Sequence, residues 1–396
     1  MSGNDSVERA AGPSGLRALL PALALAAAGT AFVIALLAVE SQVGIVVLLA
    51  GAAAAIVIAA RFGLLSPVGD LLIQREDVLG VLSVVGVLVV TAYFHEDHFT
   101  LLMVATVILF VLATLGLNIQ FGYTGLINFA GASFLGIGCY TAAVLTQHTA
   151  LPHILVLLVG GLMAAVIGSI LLLPVLRTRG HYSAVVTIAF ALLFKTFLEV
   201  NDVLGGPQGL SVAGMNLFGW DFNDNIRIGD SFELSFYANY VLLSLALLVI
   251  AFVFVRRLDR SWIGLNLDAV RLDDTAAACF GLNLVRWKIT AFTIGNFLTG
   301  VAGSLYGMML GFIAPANFTF GDSLILVSIV LLGGIGNAWG LVVATTIVVI
   351  LPEKLQAIQE YRFLLYASMV ILILLFRPEG LLPRPLRAYF PGFSGR

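Results

Sequence analysis

The sequence predicts an all-α membrane protein whose helices cross the bilayer about 10–12 times. Three observations predict this fold class: an apolar composition, apolar runs about as long as a bilayer is thick, and basic residues gathered on alternate connecting segments. Of the 396 residues, 60% are hydrophobic and 11% are charged, whereas soluble domains carry about 25% charged residues. The net charge of −2 gives no indication of nucleic-acid binding.

The apolar runs predict where the individual helices lie. A bilayer core about 30 Å thick needs about 20 apolar residues per helix. The first run is too long for the apolar part of a cleaved signal peptide, which predicts a retained anchor. The last long region breaks at "GGIGNAWG", so it is predicted to form two short spans. The predicted spans are 18–39, 43–60, 78–94, 99–117, 127–146, 151–176, 183–200, 237–255, 289–310, the broken pair within 322–352, and 363–376.

The basic residues predict the orientation of these helices. With the N-terminus inside, the outer segments hold only Arg227, Lys354 and Arg362, and Lys195 lies within a span. The other 16 of the 20 basic residues then lie in inner segments, which is a strong positive-inside bias. Both the N and the C terminus are therefore predicted to be cytoplasmic.

One inner loop, 256–288, is unusually polar and holds 10 of the 42 charged residues. Charges are costly inside a bilayer, so this loop is expected to lie in the cytosol. Its centre, "AVRLDDTAAACFG", predicts one short amphipathic helix over 268–280 that stops at Gly281. Either this helix binds a partner, or it is a solvated loop helix without one. One predicted face holds Leu272, Ala276, Cys279 and Phe280, and another holds Arg271, Asp274 and Thr275.

The glycine-rich segment "GYTGLINFAGAS" predicts an interrupted helix near the middle of the membrane. Gly122 and Gly125 allow the backbone to leave the helical conformation. The break would expose backbone groups and Asn128 to a cavity, as transporter sites commonly do. Gly122, Tyr123, Gly125 and Asn128 are therefore candidate substrate-pathway residues. The alternative is close helix packing without substrate contact.

The chain shows no energy source of its own. A Walker A loop needs Gly-Lys-Ser/Thr, but none of the three lysines follows a glycine, so ATP binding of that kind is not expected. Ion-coupled transporters bury ionisable groups along their path, and the predicted spans hold only Lys195 and Glu199. At i,i+4 spacing this pair is interpreted as a helix-end anchor, with a proton relay as the alternative. Energy for transport is then expected to come from a partner.

Neither a metal site nor a disulfide is predicted. His95 and His98 in "HEDH" have a ligand-like spacing, but a polar turn between two helices is the favoured interpretation. Cys139 and Cys279 are far apart and lie in different environments. Their positions fit neither metal nor redox spacing.

Two groups of motifs resemble a known family. "DDTAAACFG" resembles the loop by which permease subunits of bacterial ABC importers engage their ATPases, typically Glu-Ala-Ala-x-x-x-Gly. Ala276, Ala277 and Gly281 match this pattern. Thr275 stands at the Glu position, so the acidic contact is assigned to Asp273 or Asp274. The resemblance thus implies an ATPase-coupling site formed by Arg271, Asp273, Asp274, Ala276, Ala277 and Gly281.

The second group narrows the resemblance. "FGYTGLINFAGASFLGIGCY" (121–140), "GGPQGL" (205–210) and "LLFRPEGLL" (374–382) are similar to segments of LivM-type permeases for branched-chain amino acids, and the likeness covers roughly residues 100–383. It implies the ABC importer permease fold in a bacterial inner membrane. It also implies a LivH-like second permease, two cytoplasmic ATPases that bind the ATP, and an external substrate-binding protein. The permease itself would perform no chemistry and bind no cofactor.

The chain is accordingly expected to have four parts. They are a cytoplasmic tail (1–17), an N-terminal transmembrane extension (18–98), a permease core (99–376) and a second cytoplasmic tail (377–396). Within the core, 201–236 forms an external loop and 256–288 the cytoplasmic coupling loop. Three other functions stay open: a permease of the same fold for urea or short amides, an ion-coupled secondary transporter, and a membrane scaffold that transports nothing.

Overall fold

The computed structural model describes residues 20–48, 50–51, 76–177, 182–217, 219–228, 232–355, 361–376, 379–382 and 384. The chain divides between Phe94 and His95 into two compact units. In the first unit, α1 (Leu20–Ala38) and α2 (Glu76–Tyr93) correspond to the predicted spans 18–39 and 78–94. Residues 42–48 are also helical, but most of the predicted span 43–60 lies outside the described residues.

The second unit contains the predicted core helices. In chain order they are α3 (His98–Thr124), α4 (Gly131–His148), α5 (His153–Arg177), α6 (Tyr182–Val200), α7 (Tyr237–Asp259), α8 (Trp262–Leu272), α9 (Asp274–Cys279), α10 (Leu284–Leu310), α11 (Phe320–Gly333), α12 (Ala338–Lys354) and α13 (Arg362–Phe376). The predicted break within 322–352 separates α11 from α12.

These helices make the chain a multi-pass membrane protein, as predicted. Six of the described helices are long and apolar enough to cross a membrane: Pro21–Ala38, His98–Thr124, His153–Leu176, Ser183–Val200, Tyr237–Asp259 and Pro315–Gly333. The predicted all-α class is confirmed, with six strands of two or three residues confined to connecting segments.

Helix α10 is the central helix of the second unit and packs against α3, α4 and α5. Glycines make this close packing possible, because an added Cβ on Gly138 would collide with the backbone of Gly300. A Cβ on Gly116 would similarly meet the carbonyl group of Gly295. Without a hydrophobic driving force between helices in lipid, such close backbone contact supplies the attraction.

One end of this unit is built from short strands, and we call it the hairpin end (residues 201–236 and 311–313). Strands β2 (Asn216–Leu217) and β3 (Trp220–Asp221) form one antiparallel pair, and β4 (Ile226–Ile228) and β5 (Phe232–Leu234) form another. The predicted external loop is therefore ordered into hairpins. Strand β1 (Leu210–Ser211) pairs with β6 (Phe312–Ile313), which follows the end of α10.

We call the opposite end the charged end (residues 122–125, 259–288 and 384). Helix α3 runs between the two ends. At its start, the Nδ1 atom of His98 lies 2.5 Å from the hydroxyl oxygen of Ser235, which follows β5. At its other end, the carbonyl oxygen of Gly122 accepts a hydrogen bond from Arg384. The polar 256–288 segment therefore lies across the bundle from the hairpins.

Candidate functional site at the charged end

The loop between α7 and α10 holds two helices, so the predicted single helix over 268–280 is wrong. Asp273 separates α8 from α9 with an extended backbone, φ −157° and ψ 105°. Its carboxylate accepts hydrogen bonds from the N–H groups of Thr275 at 2.8 Å and Ala276 at 3.0 Å. Such an N-cap satisfies N–H groups at the start of a new helix. The N-cap hydrogen bonds of Asp273 therefore start a separate helix, although the spacing of the apolar residues predicted a continuous one.

Gly281 ends α9, as predicted. Its φ of +83° is left-handed, a conformation that glycine adopts without the steric cost of a side chain. The N–H of Gly281 donates to the carbonyl of Ala278 at 3.0 Å, and that of Leu282 donates to Ala277 at 3.1 Å. This pair of bonds is a Schellman motif. The glycine of the Ala-Ala-x-x-x-Gly pattern therefore has a backbone role that the structure defines.

The α9 helix presents one side to solvent and fixes the other to the bundle. Ala277 is buried, whereas Ala276 and Cys279 are exposed. Phe280, directly after the helix, keeps 88% of its surface exposed. The carboxylate of Asp274 pairs with the ammonium of Lys288 on α10 at 2.5 Å. The two candidate acids thus have different structural roles, because Asp273 caps α9 and Asp274 ties it to α10.

Arg384 organises the rest of the charged end. Its guanidinium donates to both carboxylate oxygens of Asp268 on α8, at 2.6 and 3.0 Å. It also donates to Asp259, the last residue of α7, at 3.1 Å, and to the carbonyl of Gly122 on α3 at 3.1 Å. Its central carbon lies 4.6 Å from the centre of the Tyr123 ring. One side chain therefore contacts three helices.

The charges in this cluster are largely removed from solvent. The side chains of Arg384 and Asp268 are each 13% exposed, and that of Asp259 is 9% exposed. Burial acts to lower the pKa of Arg384, but the hydrogen bond and charge of Asp268, with Tyr123 and Asp259, raise it overall. Buried ions are tolerated when they are paired and hydrogen-bonded in this way. The arginine therefore remains cationic.

The segment that carries Arg384 is itself fixed to α11. The N–H of Leu381 donates to the carbonyl of Leu332 at 2.8 Å, and that of Leu382 donates to Gly333 at 3.2 Å. Just beyond α11, the N–H of Gly336 donates to the side-chain oxygen of Asn118 on α3 at 2.8 Å. The break between α11 and α12 therefore lies beside the Arg384 cluster.

The predicted substrate-pathway segment also meets this end of the bundle. The predicted helix break is observed in this segment, because α3 ends at Thr124, where Gly125 has a left-handed φ of 67°, and α4 begins only at Gly131. An added Cβ on Gly125 would lie 3.9 Å from Cγ of Arg271, and Arg271 pairs with Asp268 at 3.7 Å. The two candidate sites, separated in the sequence, are therefore neighbours.

Asn128 does not face a cavity, so that part of the prediction is wrong. Its side chain is fully buried, and its Nδ2 donates to Gln120 at 2.7 Å. Its Oδ1 accepts from the N–H of Ala130 at 2.9 Å, and Gln120 in turn donates to Asn296 on α10 at 2.9 Å. Buried amides need such partners, and these partners hold Asn128 inside the helix packing.

Tyr123 and Gly122 are likewise buried. An added Cβ on Gly122 would lie 2.6 Å from the Cα of Gly336, so this glycine allows a close backbone approach. Gly122, Tyr123 and Asn128 of this segment are thus closely packed within the bundle. In the part of the chain that the structure describes, no group of three His, Cys, Asp or Glu residues could hold a metal ion.

Comparison with known proteins matches the core of the chain. The family described as branched-chain amino acid transport system, permease component, matches residues 99–376. The high-affinity branched-chain amino acid transport system permease protein LivM of Escherichia coli (strain K12) is 34% identical over 310 residues, which are 75% of this chain and 73% of that protein. No solved structure gives a significant match.

Two further relatives extend this result. The LivM permease protein of Salmonella typhimurium is 35% identical over 288 residues, which are 69% of this chain and 68% of the relative. The corresponding LivH permease protein of Escherichia coli (strain K12) is 24% identical over 291 residues, covering 70% of this chain and 92% of the relative. With the family match spanning more than two thirds of its length, the chain belongs to the permease components of branched-chain amino acid transport systems, and it is of the LivM type.

Proposed function

We propose that this chain is a transmembrane subunit of an ATP-driven ABC importer for branched-chain or other small amino acids in a bacterial plasma membrane. The observation that carries the proposal is the family match over residues 99–376. The chain forms half of the translocation path, and a LivH-like permease forms the other half. ATP is bound by two cytoplasmic ABC ATPases, and an external binding protein delivers the substrate.

The ATPase docks on α9 and the residues beside it. Phe280 is 88% exposed and Leu272 is 76% exposed; Leu272 is the last residue of α8, and Phe280 directly follows α9. Exposed apolar side chains beyond what a surface normally carries indicate a binding surface. Since Asp274 pairs with Lys288 and Ala277 packs inward, the docking segment is held against α10. A partner that moves α9 therefore also moves the bundle.

The orientation follows the distribution of basic residues. With 256–288 in the cytosol, the hairpin end faces outward, where the binding protein arrives. Arg271, Asp273, Asp274, Ala276, Ala277 and Gly281 then belong to the ATPase-coupling surface or its immediate support. Gly122, Tyr123, Gly125 and Asn128 shape the path by fixing where α3 ends and how α4 begins, without touching substrate themselves. The buried contacts of Gly122 with Gly336, of Tyr123 with Arg384 and of Asn128 with Gln120 support this role, as does the left-handed φ of Gly125.

The test is transport by the reconstituted complex. The chain, its LivH-like partner, both ATPases and the binding protein are placed in liposomes, and ATP-dependent uptake of labelled leucine is measured. The Gly281→Trp variant should lose uptake, because its left-handed backbone disfavours any side chain and the docking surface is distorted. The matched control is Gly219→Trp, at another exposed glycine with a left-handed φ of +91°, because it lies at the hairpin end and should leave ATPase binding intact. Uptake and ATPase stimulation that survive Gly281→Trp together with Ala277→Trp would refute the docking assignment.

The same liposomes separate the alternative functions. Binding proteins preloaded with urea or a short amide test the other substrates within this fold. Uptake by the isolated chain under an ion gradient, without ATP, would establish an ion-coupled transporter. A scaffold would support neither uptake nor binding of an ATPase.

A further inference from the structure

We propose that Arg384 is a positioning residue that holds the α8–α9 segment against the charged end of α3, so that movement of an ATPase is transmitted to the translocation path. We call the hydrogen bonds from Arg384 to Asp268, Asp259 and Gly122 the latch. This inference rests on the proposed function, because it requires an ATPase to act on α9. It concerns a residue near the C-terminus, which neither the coupling pattern nor the glycine-rich segment contains.

Arg384 adds a link between the docking segment and α3 to the Asp274–Lys288 pair, which ties α9 to α10. Asp268 lies on α8 and accepts two hydrogen bonds from Arg384 at 2.6 and 3.0 Å. On the other side, the same guanidinium donates to the carbonyl of Gly122 at 3.1 Å. Since α8 leads into α9 with only Asp273 between them, a force on α9 is transmitted to α3 through these bonds.

The geometry requires arginine in particular. A planar guanidinium can donate two parallel hydrogen bonds to one carboxylate while its remaining N–H groups bind elsewhere. Arg384 makes four such hydrogen bonds, since besides the two to Asp268 it bonds to Asp259 and to Gly122, each at 3.1 Å, and it lies over the Tyr123 ring at 4.6 Å. A lysine at this position would keep the positive charge but could not donate two parallel hydrogen bonds to the carboxylate of Asp268.

The latch is also anchored where the bundle is broken. The segment before Arg384 is hydrogen-bonded to the end of α11 through Leu381 and Leu382. An added Cβ on Gly336, in the break between α11 and α12, would lie 2.6 Å from Cδ of Arg384. Packed interfaces convert small shifts into discrete rearrangements. A displaced α8 would therefore pull on α3 and on the α11–α12 break together.

The experiment compares transport with ATP hydrolysis in the complete importer, reconstituted in liposomes with leucine-loaded binding protein. The coupling ratio, leucine transported per ATP hydrolysed, is measured for Arg384→Ala, Arg384→Lys and Asp268→Asn. Arg384→Ala should lower this ratio by about tenfold, in the range typical of coupling between sites, while ATP hydrolysis and ATPase co-purification persist. Arg384→Lys should have a coupling ratio between those of Arg384→Ala and the natural protein, since lysine has the positive charge but cannot donate two parallel hydrogen bonds to Asp268. Asp268→Asn should also lower it.

Arg257→Ala is the matched control, because Arg257 is an exposed arginine on α7 near the same end. Its coupling ratio should equal that of the natural protein. An unchanged ratio in assembled Arg384→Ala would overturn the latch, and so would a proportional fall of uptake and hydrolysis. If the Arg384→Ala chain does not assemble into the importer, the coupling ratio of Arg384→Lys is the test instead. A coupling ratio of Arg384→Lys equal to that of the natural protein would then overturn the proposal. Failure of the natural complex to couple ATP to leucine uptake would instead contradict the proposed function.

Discussion

The two ends of the helix bundle are held together by different chemistry. At the charged end, Arg384 joins three helices through ionic hydrogen bonds to Asp259 and Asp268 and a further hydrogen bond to the carbonyl of Gly122. At the hairpin end, the fully buried hydroxyl of Tyr240 accepts from the N–H of Met215 at 3.0 Å and donates to the carbonyl of Met308 at 3.2 Å. Both ends thus use one buried side chain to join a connecting segment to helices.

The difference matters because removing one group from a charged contact and from a neutral contact leaves different unpaired groups behind. Removing one partner of a buried ion pair leaves an uncompensated charge, whereas removing a neutral hydroxyl leaves at most two unpaired backbone groups. Charged groups can also be paired by polar groups of another protein. The charged end therefore suits the movement that we propose an ATPase imposes on it, and the neutral hairpin end suits a fixed frame.

The largest expected effect concerns the ionic link. Asp268→Ala removes the carboxylate that accepts two hydrogen bonds from Arg384, and the free energy of unfolding should fall by about 3 kcal/mol. Thermal unfolding of the purified chain in detergent measures this loss. The control is Asp274→Ala, because the Asp274–Lys288 pair is partly exposed and should be worth less than about 1 kcal/mol. Equal losses in the two variants would contradict the comparison.

A smaller effect is expected at the hairpin end. Tyr240→Phe keeps the ring that packs against Phe222, with ring centres 5.4 Å apart, and removes only the hydroxyl. The unfolding free energy should fall by about 1–2 kcal/mol, the usual cost of leaving buried polar groups unpaired. The same thermal assay applies. A loss larger than that of Asp268→Ala would show that the neutral link is the stronger one.

The smallest effects are expected from two helix caps, one at each end. Asp97 caps α3 at the hairpin end by accepting from Phe99 and Thr100, and Asp273 caps α9. Each change to Ala should cost about 1 kcal/mol, the usual value of an N-cap. Hydrogen exchange at the amides of Phe99 and Thr100, or of Thr275 and Ala276, should report the loss at the affected helix alone.

The Asp97 cap also has a predicted pH dependence. Burial acts to raise the pKa of Asp97, but hydrogen bonds from Thr100 and Phe99 and the charge of Lys354 hold it below its ordinary value. A lowered folded-state pKa stabilises the protein above the ordinary Asp pKa, and this contribution is lost as the pH falls through the folded value. The stability difference between the natural protein and Asp97→Ala should therefore shrink on acidification below the ordinary Asp range. A difference that grows instead would reverse the assignment.

Much of the fold could be predicted because hydrophobic length is a local property. Helices α5 and α6 lie within a residue or two of the predicted spans 151–176 and 183–200. The helix over 268–280 was predicted wrongly for a local reason as well. The apolar spacing from Leu272 to Phe280 favoured one helix, but the carboxylate of Asp273 offers the backbone a competing hydrogen-bond partner.

The candidate site was only partly predictable. The Ala-Ala-x-x-x-Gly pattern indicated the segment 268–281, and Gly281 has the left-handed backbone that favours glycine at the last position of this pattern. Arg384 carried no signal beyond one basic charge in a tail predicted to be cytoplasmic, because its main partner, Asp268, is 116 residues away. Nor could the sequence indicate that Asn128 is buried, since its partner Gln120 is itself held by Asn296 on α10, 176 residues further along the chain.

From the amino-acid sequence alone it follows that the chain is a membrane protein and which of its loops is charged. A bilayer imposes a length and a polarity on each segment separately, so these properties can be counted residue by residue. Which charges pair and which polar groups are buried follows instead from the packing of the helices. Those outcomes depend on how helices distant in sequence pack together, and at the charged end that packing places Arg384 between α3, α7 and α8.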